Sequence, residues 1–304
     1  MKCYSIRIWF TRSFLLALSL ATVACWEKAP NPGGGLSDDF ETTPLRAPIE
    51  PGIIDEASGL ADSRTLPGYL WTHEDAGEPS RLYLLRHDGK EIRSYEPEGI
   101  HNRDWEDIEV GIGPQEGVSY IYLGDIGNND ANPATTIHYI HRIPEPTSLE
   151  GTLRGIATIT YQYPDGPHDA ETLLFDPQTK DLFVVSKELD KAILYRLPYP
   201  QPLDGVMTAE RVGQVPSVIL ATGGNISTDG TEILIRTYTN MYYWRRGEGE
   251  SIGQVLSRAA RKSLPFELEP QGEAVCFDRE SKGYFTLSER RTAASVSLNY
   301  YRRK

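Results

Sequence analysis

An all-β fold is predicted for this 304-residue chain, and two observations predict it. Short apolar runs rich in β-branched and aromatic residues alternate with turn signals. Examples are Tyr120-Ile121-Tyr122-Leu123, Leu182-Phe183-Val184-Val185 and Glu232-Ile233-Leu234-Ile235. Strands at regular spacing build all-β domains. The pattern also repeats. Asp169-Ala-Glu171-Thr-Leu-Leu-Phe-Asp176 aligns without a gap with Gln271-Gly-Glu273-Ala-Val-Cys-Phe-Asp278. Beyond each final Asp, Phe183 matches Phe285 and Ser186-Lys187 matches Ser288-Glu289. Glu56-Ala-Ser58-Gly-Leu, Asp104-Trp-Glu106-Asp-Ile and Thr222-Gly-Gly-Asn225-Ile fit more loosely. The five segments lie roughly 50–65 residues apart, and a propeller blade of four strands takes about 40–45. The expected architecture is therefore a single β-propeller of five blades, with six as the alternative. A sandwich or jelly roll has no reason for such a period.

The chain opens on a targeting segment rather than on fold. Lys2, Arg7 and Arg12 precede an uncharged apolar run from Phe14 to Ala24, shorter than the about 20 apolar residues a membrane span needs. Cys25 follows directly. Thr22-Val23-Ala24-Cys25 resembles a bacterial lipobox, with Thr22 where that pattern usually has Leu. Residues 1–24 are expected to be a lipoprotein signal peptide, with Cys25 acylated and the protein exported. The anchor would hold it on a bacterial membrane, the outer membrane or cell surface, through the lipid bilayer; ordinary secretion is the alternative. Glu27 to Pro51 is rich in Pro, Gly and acid and too poor in large apolar residues to order itself. Residues 25–52 are accordingly expected as lipidated cysteine and tether, and residues 53–304 as the propeller.

The strands follow in order. The first interval holds 57–61, 69–73, 81–86 and 91–96; the second 107–111, 118–125, 136–143 and 157–163. The third holds 172–175, 182–187, 192–197 and 210–215. The fourth has 232–238 and 241–245 behind Ile226, with no clear outer strand. Only Gln254 to Lys262 carries a helical pattern, a turn or two long. The last interval runs out of chain after three strands. An open edge leaves backbone groups unpaired, so residues between about Thr43 and Ile54 are expected to supply its outer strand, with Pro44, Pro48 and Pro51 tolerable there only because it is an edge.

A formal charge of −12 argues against nucleic acid as partner. Of the three cysteines, Cys3 falls in the signal and Cys25 at the anchor, leaving Cys276 in an apolar run as a buried thiol. Without a disulfide the chain needs a large core of its own, which about 250 residues supply. A monomer is expected.

In a propeller, inner strands line the axis, and their starts open on the same face as the ends of the second strands. The repeat therefore aims two tiers of side chains at one mouth. The inner tier is Glu56 and Ser58, Asp104 and Glu106, Asp169 and Glu171, Gly223 to Asn225, and Gln271 and Glu273. The outer tier is His73 and Asp75, Asp125, Asn128 and Asn129, Lys187, Arg236 and Tyr238, and Glu289. Converging carboxylates raise each other's pKa, and a hard cation such as calcium, which takes oxygen ligands, would relieve them. Glu56, Asp104, Glu106, Asp125, Asp169, Glu171, Asn225 and Glu273 are the candidate ligands. Lys187, Arg236, His73, Tyr238 and Glu289 are candidate ligand-binding residues, and Glu171 and His168 candidate catalytic ones. For any one of these the alternative is a loop cap or a hydrogen-bonded surface residue; Trp71, Trp105 and Trp244 are expected in blade packing. The Gly124-Asp-Ile-Gly-Asn-Asn-Asp130 turn is rich in oxygens but lacks EF-hand spacing. Sequence signatures of a nucleophile elbow, a zincin helix or a phosphate loop are absent.

Glu56-Ala-Ser-Gly-Leu-Ala, Leu70-Trp-Thr-His-Glu-Asp, Asp104-Trp-Glu-Asp-Ile, Gly124-Asp-Ile-Gly-Asn-Asn, Pro167-His-Asp-Ala-Glu, Thr222-Gly-Gly-Asn-Ile-Ser and Glu273-Ala-Val resemble a family of poorly characterised secreted bacterial propellers, across about residues 53–290. More distantly, the acidic inner tier is similar to calcium-dependent propeller hydrolases of the phytase-like or esterase-like and gluconolactonase/paraoxonase groups. That resemblance implies an axial metal held by residues such as Glu56, Asp169, Glu171, Asn225 and Glu273. Two functions are open. One is an anchored propeller binding a small molecule, glycan or peptide over an acid-rich mouth. The other is a calcium-dependent hydrolase of an ester, lactone or phosphoester, with Glu171 as base.

Overall fold

The computed structural model describes residues 35–129 and 132–304; the signal segment and Cys25 lie outside them. Five sheets form the blades of a propeller, antiparallel throughout except that Met207–Thr208 adds a short parallel strand outside Ala157–Gln162 in the second. The first blade runs outward through Ala57–Asp62, Tyr69–Glu74, Leu82–Arg86 and Ile92–Tyr95, the second through Trp105–Ile112, Ser119–Asp125, His138–Pro144 and Ala157–Gln162. The third holds Ala170–Phe175, Leu182–Ser186, Ala192–Leu197 and Glu210–Val215. The fourth holds Ala221–Ile226, Glu232–Thr237, Met241–Arg245 and the short Lys262–Ser263 that the sequence left unclear. Among the described residues a single helix, Ile252–Leu256, starts in a capping box formed by Ser251 and Gln254.

The fifth blade is completed from the other end of the chain. Gln271–Phe277, Gly283–Glu289 and Val296–Arg302 are joined by Leu45–Ile49, which pairs antiparallel with the last strand from Leu45↔Tyr300 to Ile49↔Val296. The expected closing strand is therefore present, and Pro48 sits on an edge. The expected tether boundary at residue 52 moves, however. Phe40 is fully buried beside Tyr243 and Tyr284, and Leu36 bridges Ser263. An aromatic ring and a ladder partner compensate the entropy of ordering that composition alone argued could not be met.

Apolar clusters fill all five interfaces between successive blades, including the one between fifth and first, so the ring is closed. Both faces of each sheet are covered. This is why the middle strands read as continuous apolar runs rather than alternating ones. Trp71, Trp105 and Trp244 are buried in these interfaces, each contributing roughly 4–6 kcal/mol as an upper bound at about 25 cal/mol per Å². Cys276 is buried. Among the described residues no helix is long and apolar enough to cross a membrane.

One irregularity recurs in every blade. The ladder between the first and second strands skips at Ala57/Leu60, Trp105/Asp107, Ala170/Thr172, Ala221/Gly223 and Gly272/Ala274. A bulge leaves its extra residue unpaired and re-aims the side chain. The bulged positions are Ser58-Gly59, Glu106, Glu171, Thr222 and Glu273.

Candidate functional site

The bulges define true equivalence among the blades. Glu106, Glu171 and Glu273 share one position and Thr222 is their counterpart in the fourth blade, where the sequence alignment had placed a glycine. Asn225 therefore lies three residues further down the strand. It bonds Glu109 at 2.8 Å and the Phe277 amide at 3.0 Å, away from the mouth. Asn225 is not a member of the acidic site.

The same equivalence corrects the outer tier. Ladder partners Ala57↔Glu74, Ala170↔Ser186, Ala221↔Thr237 and Gly272↔Ser288 put Asp75, Lys187, Tyr238 and Glu289 at one position, and Trp105↔Asp125 gives that position to Ile126. Strand side chains alternate, so an offset of one reverses direction. Asp125 accordingly turns to Arg103, whose Nε donates to it at 2.8 Å. His73 and Arg236 both lie two residues earlier and both are fully buried against the next blade. His73 packs edge-on to Trp105, and burial pushes its pKa down to about 4. Arg236 pairs with Glu269 and donates to the Ala274 carbonyl at 3.0 Å, over Gly272, where no side chain would fit. Neither faces the mouth to hold a ligand. His168 is held at a rim between Glu188 and the Tyr195 hydroxyl, each at 2.8 Å.

What converges is acidic. Asp75, Asp104 and Glu106 each bring an oxygen within 4.8 Å of the others. Asp75, expected in the mouth but not among the candidate ligands, is thus part of the densest group; its equivalence to Glu289 was the signal. The Gly124–Asn129 turn folds over this group. The Asn128 amide donates to Asp169 at 2.8 Å and the Asn129 side chain to Glu106 at 3.5 Å. A Cβ on Gly127 would lie 2.1 Å from a Glu106 oxygen. Across the axis, Lys187 contacts Glu171 and donates to the Tyr238 hydroxyl at 3.0 Å. Tyr238 donates onward to Glu273 at 3.3 Å, which also accepts from Gln271 at 3.0 Å.

The electrostatics follow from burial and like charge. Burial first, then Asp75, pushes Asp104 up to about 6. Glu106 is raised well above the carboxylate range by burial and by Glu171, Asp75 and Asp104. Glu171 is raised by burial and Glu273, against the pull of Lys187. Glu273 is raised by burial and Glu289, and burial and Glu56 push Glu289 itself up to about 7. Lys187 stays charged because Glu171 and Tyr238 outweigh its burial. Two carboxylates remain short of donors. Among the described residues one oxygen of Glu171 and both of Glu289 are buried without a donor; Glu289 lies against the carboxyls of Glu56 and Glu273, with Arg291 reaching it from the rim at 3.6 Å. Buried polar atoms in this condition call for a partner. The donor set is all oxygen, as a hard divalent cation requires. Lys187 engages one of the two Glu171 oxygens, and Glu188 and Tyr195 hold His168.

No protein-family model matches the sequence, and no curated protein matches it. Solved structures do resemble it. A gluconolactonase, XC5397 from Xanthomonas campestris, aligns at 14% identity and a TM-score of 0.40 over 81% of this chain and 86% of its own. An auxiliary nutrient binding protein from Bacteroides thetaiotaomicron aligns at 9% and 0.47, over 90% of this chain and 76% of its own. A PQQ-bound aldose sugar dehydrogenase from Streptomyces coelicolor aligns at 11% and 0.43, over 86% and 99%. The chain is a β-propeller by its own five sheets. The likeness is one of fold, and chemistry is not carried over with it.

Proposed function

We propose that this protein is an extracytoplasmic propeller lipoprotein, anchored through acylated Cys25, whose acidic mouth binds its ligand through a divalent cation, calcium being the hard cation that suits the donors. The observation that supports it is the set of buried carboxylate oxygens of Glu171 and Glu289 that find no donor among the described residues, together with the Asp75, Asp104 and Glu106 group. The anionic-ligand version of the reading loses its basis, because Arg236 is sequestered and Lys187 is spent on Glu171 and Tyr238. The cation would sit over Asp75, Asp104 and Glu106, with Asp169 and Glu56 at the rim. A small molecule, glycan or peptide with its own oxygens would complete the coordination.

Calcium titration with a thermal readout tests this directly. A cation bound only by the folded state raises stability by mass action, about 2.7 kcal/mol at a hundredfold excess over Kd. The double variant Asp104→Asn/Glu106→Gln is expected to abolish the rise. No shift of the wild-type transition at millimolar calcium would end the cation reading. Membrane fractionation tests the anchor: Cys25→Ser is expected to free the protein from membranes with its domain folded.

A further inference from the structure

A second cavity lies at the opposite ends of the strands that build the mouth. The mouth is made where inner strands begin. This cavity, about 770 Å³, opens where they end, between the fifth and first blades, and the closing strand Leu45–Ile49 forms one wall. Its size falls within the about 300–1,000 Å³ of small-molecule sites. Its floor is a cluster of tilted rings, Phe285 inclined at 47° to His87 and at 37° to Tyr300. Phe285 lies 4.6 Å from the His87 ring on one side and 4.6 Å from Tyr300 on the other. Two hydrogen bonds hold the outer rings in place. The buried Asp62 carboxylate meets His87 Nε2 at 2.9 Å, and the Tyr300 hydroxyl donates to Asp278 at 2.6 Å. Rings fixed this way present an apolar surface at little entropic cost.

The charges around the opening are unequal in availability. Each carboxylate there is already engaged: Asp62 with His87 and the Arg279 amide, Asp88 with Arg86, Asp278 with Tyr300 and two backbone amides, Glu280 with Lys282. Two cations are not. Lys90 makes no ion pair among the described residues, and the Arg279 guanidinium donates only to the Arg64 carbonyl, at 3.4 Å. The lining is formally neutral, four acids against four bases, and among the described residues Lys90 and Arg279 are the two bases that no ion pair ties down beside the aromatic floor.

We propose that this cleft binds a small amphipathic anion. Its apolar body lies against His87, Phe285 and Tyr300, and its acidic group meets Lys90 and Arg279. This is independent of the mouth and of any cation there.

The probe is 1-anilinonaphthalene-8-sulfonate, used with the full chain carrying Cys25→Ser so that neither lipid nor detergent adds signal. Saturable one-to-one binding with enhanced fluorescence is expected, weakened at least tenfold in Lys90→Glu/Arg279→Glu at unchanged melting temperature. Lys90→Glu alone is expected to weaken it severalfold, which keeps the test open if the double variant does not fold. Uncharged N-phenyl-1-naphthylamine is expected to bind at least tenfold more weakly, and Asp104→Asn to leave sulfonate binding unchanged. Absence of saturable binding, indifference to charge reversal, equal affinity for the uncharged probe, or loss in Asp104→Asn would each overturn the proposal.

Discussion

Lys187 of the third blade donates to the Tyr238 hydroxyl of the fourth across 3.0 Å while its ammonium rests on Glu171. One cation thus ties two blades together at the centre of an acidic ring. Replacing it by methionine leaves Glu171 buried and unpaired. Breaking a buried pair costs about 3–5 kcal/mol, reduced here because Glu171 can take up a proton. Lys187→Met is expected to lower the melting temperature in chelator and to enlarge the calcium-induced rise. Differential scanning calorimetry with and without calcium measures both, and an unchanged calcium response would mean that Lys187 and the cation do not share the site.

Glu171→Gln is the converse experiment. The amide removes a carboxylate that burial and Glu273 hold far above its ordinary pKa. The metal-free fold is expected to be at least as stable as the wild type, with a smaller calcium-induced rise, the trade expected where function costs stability. A fall in metal-free stability of about 2 kcal/mol, on the scale of a lost charged hydrogen bond, would mark Glu171 as a structural partner of Lys187 only.

The pH dependence has a definite sign. Asp104 titrates near 6 and Glu289 near 7 in the folded protein, and carboxyls in unfolded chains titrate near 4. The folded state therefore holds more protons between about pH 4 and 7, so folding stability falls as pH rises through that window. Metal-free protein is expected to melt on the order of 5 °C lower at pH 8 than at pH 5. Calcium competes with those protons, so its stabilisation should grow over the same range. Melting curves at both pH values, in chelator and in calcium, check the crossing.

Gly127 packs where a Cβ would meet the Glu106 carboxylate. Gly127→Ala forces that carboxylate or the turn to move. A cost of about 1–3 kcal/mol is expected, together with loss of calcium stabilisation. Urea unfolding and calcium titration read the two effects, and wild-type behaviour in both would separate the turn from the site.

Phe40 is buried at the closure although it lies in a stretch whose composition reads as linker. Phe40→Ala is expected to cost about 3 kcal/mol or more, as for other buried Phe truncations. An urea midpoint within error of wild type would return this segment to the tether.

Much of this was legible in the residues. The spacing of the five repeated segments that begin at Glu56, Asp104, Asp169, Thr222 and Gln271 set the blade count, because each blade needs one inner strand and the chain can meet the axis only once per blade. The shortage of a fourth strand after Val296–Arg302 required a strand from the N-terminal side, because an open edge cannot close a ring. The convergence of Asp104, Glu106, Asp169, Glu171 and Glu273 followed from their shared repeat position. What only the tertiary structure decided was direction. A bulge in each inner strand and a one-residue offset after Ser119–Asp125 determine which side chains reach the axis. They admit Asp75, turn Asp125 to Arg103 and send Asn225 down the channel; His73 and Arg236, two residues before Asp75 and Tyr238, keep their parity and are buried against the next blade. A strand has a period of two, so a single unpaired residue reverses every side chain beyond it, and composition carries no trace of where that residue falls.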